Sequence, residues 1–160
     1  MKLSSQEEFG LRCLLQIARG GERSSLSIGE LSRLEGISAP SVAKIMRVLR
    51  RCGFVHSTRG QAGGYCLARP ADRISVGEVL AALGGRFFDS GFCERHAGAT
   101  SLCKHLPDCS IRPVLRQLQG VMDQVLGAVT LRSLLCSEQE VAAWTGPKSV
   151  PLTLITGRSF

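Results

Sequence analysis

The feature that most limits what this chain can become is a short, punctuated run between Ser27 and Tyr65. Ser27 opens a helix with Ile28, Leu31 and Leu34 spaced to face inward, and Gly36 breaks it soon after. Ile37 follows, and Ser38 caps a third helix whose buried positions are Val42, Ile45 and Leu49. Two short helices joined by a tight glycine turn make a helix-turn-helix. Residues 54–58 and 65–68 then read as paired strands. Between them, Arg59-Gly60-Gln61-Ala62-Gly63-Gly64 supplies the backbone freedom of a hairpin turn. A hairpin placed directly after such a helix reads as the wing of a winged helix-turn-helix, with Arg59 in or beside the minor groove.

The outward side of the third helix carries Ser41, Lys44, Arg47, Arg50 and Arg51. Small polar residues at its start suit base edges, and the cations further along suit phosphates. A solvated basic face is the plain alternative, and the charge distribution weighs against it. Residues 1–69 hold 11 Lys and Arg against 5 Asp and Glu, a balance of +6, whereas the whole chain carries +7. Nearly all the excess therefore sits around the helix-turn-helix, which points to a polyanion partner there. A membrane surface is disfavoured, because aromatics are only 5% and no basic amphipathic helix with exposed aromatics is present.

Elsewhere the chain reads as helix. Ser4 with Glu7, or Ser5 with Glu8, fits a capping box that opens a first helix with Leu11, Leu14, Leu15 and Ala18 inward. Ser75 and Glu78 form another, ahead of Val76, Val79, Leu80 and Leu83, and Gly84-Gly85 ends that helix. Ser110 caps a long helix with Pro113 in its first turn and an apolar stripe from Ile111 to Val129. A small domain has little left to cover so long a stripe, so a second copy is its natural partner. Short helices are expected from Leu131 and from Ser137, which pairs with Glu140. The expected fold is mainly α with a small β-hairpin wing: a winged helix-turn-helix plus a long dimerisation helix. Its regions are a DNA-binding domain at 1–85, a cysteine-bearing loop at 86–110, the dimerisation helix and short helices at 111–145, and a flexible tail at 146–160.

The Gly36-Ile37-Ser38 turn, the Arg59-Gly60-x-x-Gly63-Gly64-Tyr65 wing and the helix at Ile74-Ser75-Val76-Gly77-Glu78-Val79 resemble the Rrf-two family of bacterial winged-helix transcription regulators. The resemblance covers residues 1 to 136 and implies a homodimer that binds an imperfect palindrome in double-stranded DNA. It carries DNA-reading roles to Ser38, Pro40, Ser41 and Arg59; Lys44 and Arg47 are added from helical geometry. It also implies one iron–sulfur cluster per subunit, 2Fe–2S or 4Fe–4S, with no small-molecule substrate.

Seven cysteines is a high count for a reducing compartment, where thiols or metal ligands are expected over disulfides. Cys13, Cys52, Cys66 and Cys136 lie in periodic apolar segments and read as small buried hydrophobes. Cys93, Cys103 and Cys109 share the one irregular stretch, 86–109. Soft thiolates suit iron in a sulfide environment, and the resemblance makes these three the cluster ligands. In one branch of the family a histidine three residues after the last cysteine completes the set; here that place is Arg112. In another, an acidic residue near the N-terminus of the partner subunit does so, and Glu8 stands at that position, with His96 and His105 in reserve. Two other readings stay open. Zinc could take Cys93, His96, Cys103 and Cys109, or the loop could be a metal-free thiol redox switch.

No paired catalytic carboxylates, zincin helix, nucleophile elbow or dinucleotide fingerprint is visible, so an enzyme is not expected. The rival class is an adaptor that uses the winged fold for protein contacts. No run approaches the ~18 apolar residues of a membrane span, and the N-terminus lacks a signal peptide's apolar region, so the cytoplasm is the expected location.

Overall fold

The computed structural model describes residues 3–21, 24–58, 60, 63–99 and 102–145. Helix α1 (Ser5–Arg19) begins at a reciprocal cap in which the Ser4 hydroxyl accepts from Glu7 N–H and the Glu7 carboxylate accepts from Ser4 N–H at 2.8 Å. The same device starts α2 (Ile28–Glu35) at Ser27 and Glu30, and α4 (Val76–Gly84) at Ser75 and Glu78. Each box satisfies amide donors that a helix start otherwise leaves open. Gly36 ends α2 in the left-handed region, φ +65°, and so turns the chain sharply into α3 (Ala39–Arg51).

Strands β1 (Val55–Thr58) and β2 (Gly64–Leu67) pair antiparallel, with His56 opposite Cys66 and Thr58 opposite Gly64. Leu26, just ahead of α2, joins this ribbon through two backbone bonds to Tyr65 of 2.8 and 3.0 Å. Gly64 permits that junction, since a Cβ there would sit 2.7 Å from the Leu26 carbonyl oxygen. The wing is thereby tied to the helix-turn-helix by main chain as well as by the packing of Val55, Tyr65 and Leu67 on the shared core.

One core unites these elements. Leu14 and Ile17 of α1, Leu31 of α2, Met46 and Leu49 of α3 and Val79 of α4 are fully buried together with Ile74 and Leu131. Each such aliphatic side chain contributes roughly 1.5–3 kcal/mol by leaving water. Leu131 reaches this core because the chain returns after α6 (Ile111–Ala128) and bonds alongside residues 74–76, Leu131 N–H to the Ile74 carbonyl at 2.9 Å. Helix α6 packs on α4 at Gly77, where a Cβ would lie 3.3 Å from the Gly127 nitrogen. Helix α5 (Phe92–Arg95) is a single turn, and α7 (Glu138–Thr145) follows a capping box at Ser137 and Glu140.

Several expectations need correction. Cys13 and Cys66 are buried, but Cys52 and Cys136 are exposed: one is the C-cap of α3, the other follows the short 3-10 turn Ser133–Leu135. Leu34 is exposed, because Leu31 alone of the α2 stripe points fully into the core. Ser38 and Ser110 occupy cap positions without accepting a cap bond. The stretch 86–109 is not wholly irregular, since α5 lies within it. The apolar stripe of α6 also divides in two. Leu115, Met122 and Leu126 are half-buried, whereas Ile111, Val114, Leu118, Val121 and Val125 face solvent at alternating spacings of three and four. Residues 146–160, expected as a tail, lie outside the described residues.

Candidate functional site

Two surfaces carry chemistry. The first is the outer face of α3. Ser38, Pro40, Ser41, Lys44 and Arg47 are all exposed there, as are Arg50 and Arg51. The Ser38 and Ser41 hydroxyls are 2.8 Å apart, so one donates to the other instead of capping the helix. A hydroxyl pair at a helix start keeps donors and acceptors available to an incoming partner. Among the described residues, no carboxylate pairs with Lys44, Arg47, Arg50 or Arg51. Arg12, Arg69, Arg86 and Arg95 each hold a carboxylate, whereas the four α3 cations hold none and stand together on one exposed helix face open to phosphate. Arg59 lies outside the described residues, so its place on the wing stays an expectation from sequence.

Helix α2 is tied to α1 by a contact that spacing did not reveal. Arg12 of α1 donates to the Glu35 carboxylate at 2.6 Å and to the Glu35 carbonyl at 2.9 Å. Gln16 donates to the other carboxylate oxygen at 2.6 Å. The nearly buried Glu35 carboxylate holds the Arg12 guanidinium above its ordinary pKa. Burial, assisted by the charge of Glu35, pushes the Cys13 thiol up to about 11, so that thiol is chemically quiet. In the wing, Cys66 Sγ lies 3.0 Å from His56 Nε2, a cross-strand pair also unforeseen from sequence.

The second surface is a cavity of about 370 Å³ between α5, the segment 103–110 and the start of α6. Cys93, Cys103, Cys109, His96, His105 and Arg112 all line it, so the structure gathers the three expected cysteines and both reserve histidines around one space. All three thiols are partly exposed. Among the described residues no three or more Cys, His, Asp or Glu side chains yet stand at the spacing of a metal centre. Three thiols and two imidazoles about a shared cavity match the donor chemistry of iron–sulfur or zinc, and the loop would have to draw inward to close a set.

Arg112 helps shape that loop by donating to the Leu106 carbonyl at 2.9 Å, between Cys103 and Cys109. His96 Nδ1 is 2.8 Å from the Phe92 carbonyl, which can only accept, so Nδ1 carries the proton. With the Nδ1 proton so placed, Nε2 is the nitrogen left to offer a lone pair to a ligand, the arrangement usual for a metal-ligating histidine. Glu8 does not line its own chain's cavity; it lies exposed on α1, 3.4 Å from Arg12.

The sequence and the architecture match known regulators. A family profile described as Rrf2, iron-dependent transcriptional regulator, spans residues 3–137. Protein rrf2 of Nitratidesulfovibrio vulgaris is 43% identical over 135 residues, covering 84% of this chain and 87% of that protein. The HTH-type transcriptional regulator IscR of Escherichia coli is 30% identical over 146 residues, covering 91% and 86%. Among solved structures, T. potens IscR superposes with a TM-score of 0.66 at 26% identity, covering 84% of this chain and 86% of that one. CymR, the global cysteine regulator of B. subtilis, gives 0.66 at 23% identity, covering 84% and 96%, a likeness of fold. No helix among the described residues is long and apolar enough to cross a membrane. With a winged helix-turn-helix, a free cationic face and a profile match across 135 of its 160 residues, the chain belongs to the Rrf2 family of DNA-binding transcriptional regulators.

Proposed function

We propose that this regulator is a cytoplasmic homodimer whose grip on an imperfect DNA palindrome depends on an iron–sulfur cluster held by Cys93, Cys103 and Cys109. The observation that carries the reading is their convergence on one cavity at the start of α6, the helix with the uncovered apolar face. Ser38, Pro40 and Ser41 meet base edges, Lys44 and Arg47 meet phosphates, and Arg59 enters or flanks the minor groove. The outer face of α6 pairs with its equivalent in a second copy, setting two recognition helices about one helical turn of DNA or more apart. Glu8 of the partner, His96 and His105 are the candidates for the remaining ligand. The cluster would supply redox-active iron whose bonds to sulfide respond to oxidants, nitric oxide or iron supply.

The experiment is an anaerobic preparation assayed for visible absorbance, iron and acid-labile sulfide, with gel shifts run across a salt series. Iron and sulfide together, with a preferred sequence and a steep salt dependence, are the expected result. A colourless protein free of iron and sulfide overturns the cluster. Binding without sequence preference overturns the reading of one operator, and no DNA binding even at low salt favours an adaptor. A second reading, structural zinc on Cys93, His96, Cys103 and Cys109, draws support from the proton on His96 Nδ1. It predicts a colourless protein with one tightly held zinc.

A further inference from the structure

Gln119 is the only buried residue of α6, 8% exposed on a helix whose other residues are half-buried or exposed. Burying a carboxamide is unfavourable unless its donors and acceptor are matched. Here they are: Oε1 accepts from Phe88 N–H at 2.9 Å, and Nε2 donates to Asp123 Oδ1 at 2.8 Å. The other Asp123 oxygen pairs with Arg86. The bonds close a ring between two places on α6, one turn apart, and two places on the strap at 86–88. Each joint has a defined direction, so strap and helix are held in one register.

That strap is the covalent start of the cysteine segment. The ring of Phe88 packs on Phe92 with centroids 4.9 Å apart, and Phe92 stacks on His96 at 4.1 Å. Phe88 and Cys93 both line the cysteine cavity, and with Gln119 they line a second cavity of about 350 Å³ on the other side. In the other direction α6 packs on α4, and α4 packs on α3. Gln119 therefore ties the leading end of the cysteine segment to the helix that bears the apolar seam, beside the chain's own passage from Cys109 into α6 and the Arg112 bond to Leu106.

We infer that Gln119 is a positioning residue that couples the state of the cysteine cavity to the register of α6, and so to operator affinity. It touches neither thiols nor DNA, and it acts through Phe88 on one side and Asp123 on the other. The inference rests on the cluster reading proposed above. Removing the carboxamide frees the Phe88 amide and Asp123 while leaving the cysteines, the seam and α3 in place.

The test compares wild type with Gln119→Leu and Asp123→Ala. Each is measured for iron per chain, for mass by sedimentation, and for affinity in cluster-loaded and cluster-free forms. The probe is one DNA duplex selected by the wild-type protein from a random-sequence pool. In Gln119→Leu, iron content, dimer mass and cluster-free affinity should stay within about twofold, while the loaded-to-free affinity ratio collapses fivefold or more toward unity. Hydrogen exchange at the Phe88 amide should accelerate in the same variant. A purely structural role would change both affinities alike and leave their ratio untouched, which overturns the inference. Asp123, half exposed, carries the test should Gln119→Leu fail to fold; Asp123→Ala should lower the ratio by a smaller factor, and an unchanged ratio there refutes the relay. A wild-type ratio of unity overturns the cluster reading itself, so the two failures are distinct.

Discussion

The winged module and α6 are built from the same aliphatic residues, yet they end in opposite environments. Leu14, Ile17, Leu31 and Leu49 are wholly buried, whereas Ile111 and Val114 are each 64% exposed and Val125 56%. In the module, four helices and a hairpin converge from several directions, so each side chain meets neighbours from its own chain. On α6, only the inner side is met, by α4 at Met122 and Leu126, by the strap at Gln119 and by the cysteine cavity at Leu115. The outer residues 111, 114, 118, 121 and 125 keep the alternating three-and-four spacing of a two-helix seam. One region is closed within its own chain; the other leaves an apolar face uncovered, which the proposed second copy would cover.

Charging the seam should disturb the molecule most. Val114→Asp combined with Leu118→Asp should give a monomer in sedimentation while the module's thermal transition persists. Losing the second recognition helix should weaken operator binding on the order of a hundredfold or more, as linked binding becomes single-site binding. A variant that stays dimeric would place the interface elsewhere. Next in size is the core. Leu14→Ala should cost about 2–5 kcal/mol in urea unfolding with an unchanged slope against urea. A loss as small as that expected at solvent-facing Val125 would erase the contrast between the regions.

Within the module, the α3 face should respond to charge removal and not to packing. Lys44→Ala and Arg47→Ala should each lower the slope of log affinity against log salt by about one and weaken binding to all sequences alike. Unchanged slopes would remove these side chains from the phosphate contacts.

How much of this could be read in advance follows the same divide. The helix starts at Ser4, Ser75 and Ser137 were legible because a capping box is local, its donor and acceptor three residues apart. The turn at Gly36 was legible because a helix that stops abruptly needs the left-handed region there. The inward positions Val42, Ile45 and Leu49 followed from periodicity. The partition of the α6 stripe was not legible, since periodicity marks an apolar face without saying which half meets α4. Arg12 with Glu35 and Gln119 with Phe88 were missed because their partners lie 23 and 31 residues away. Cys52 and Cys136 escaped for a different reason: each sits at an element end, where the helical period no longer predicts direction. The three loop cysteines were legible as a group, but their sharing of one cavity depends on how α5 and Arg112 fold the loop.

The smallest expected effect concerns the helix starts, and it distinguishes caps inside the module from the one beyond it. The Glu78 carboxyl is held below its ordinary value, first by the Ser75 backbone N–H and then by the nearby charge of Arg69. Glu30 and Glu140 are lowered in the same way by Ser27 and Ser137. A carboxyl whose folded pKa is depressed stabilises the folded state above its ordinary value, and that contribution is lost as pH falls through the depressed one. Acidification from about pH 5 toward pH 2 should therefore lower the module's melting temperature, and Glu78→Gln with Glu30→Gln should make the fall shallower. Glu140→Gln should leave the module's melting unchanged, because α7 buries no residue and starts beyond the core. Equal flattening by Glu140→Gln would show that α7 unfolds together with the module and would move the boundary between the two regions past Ser137.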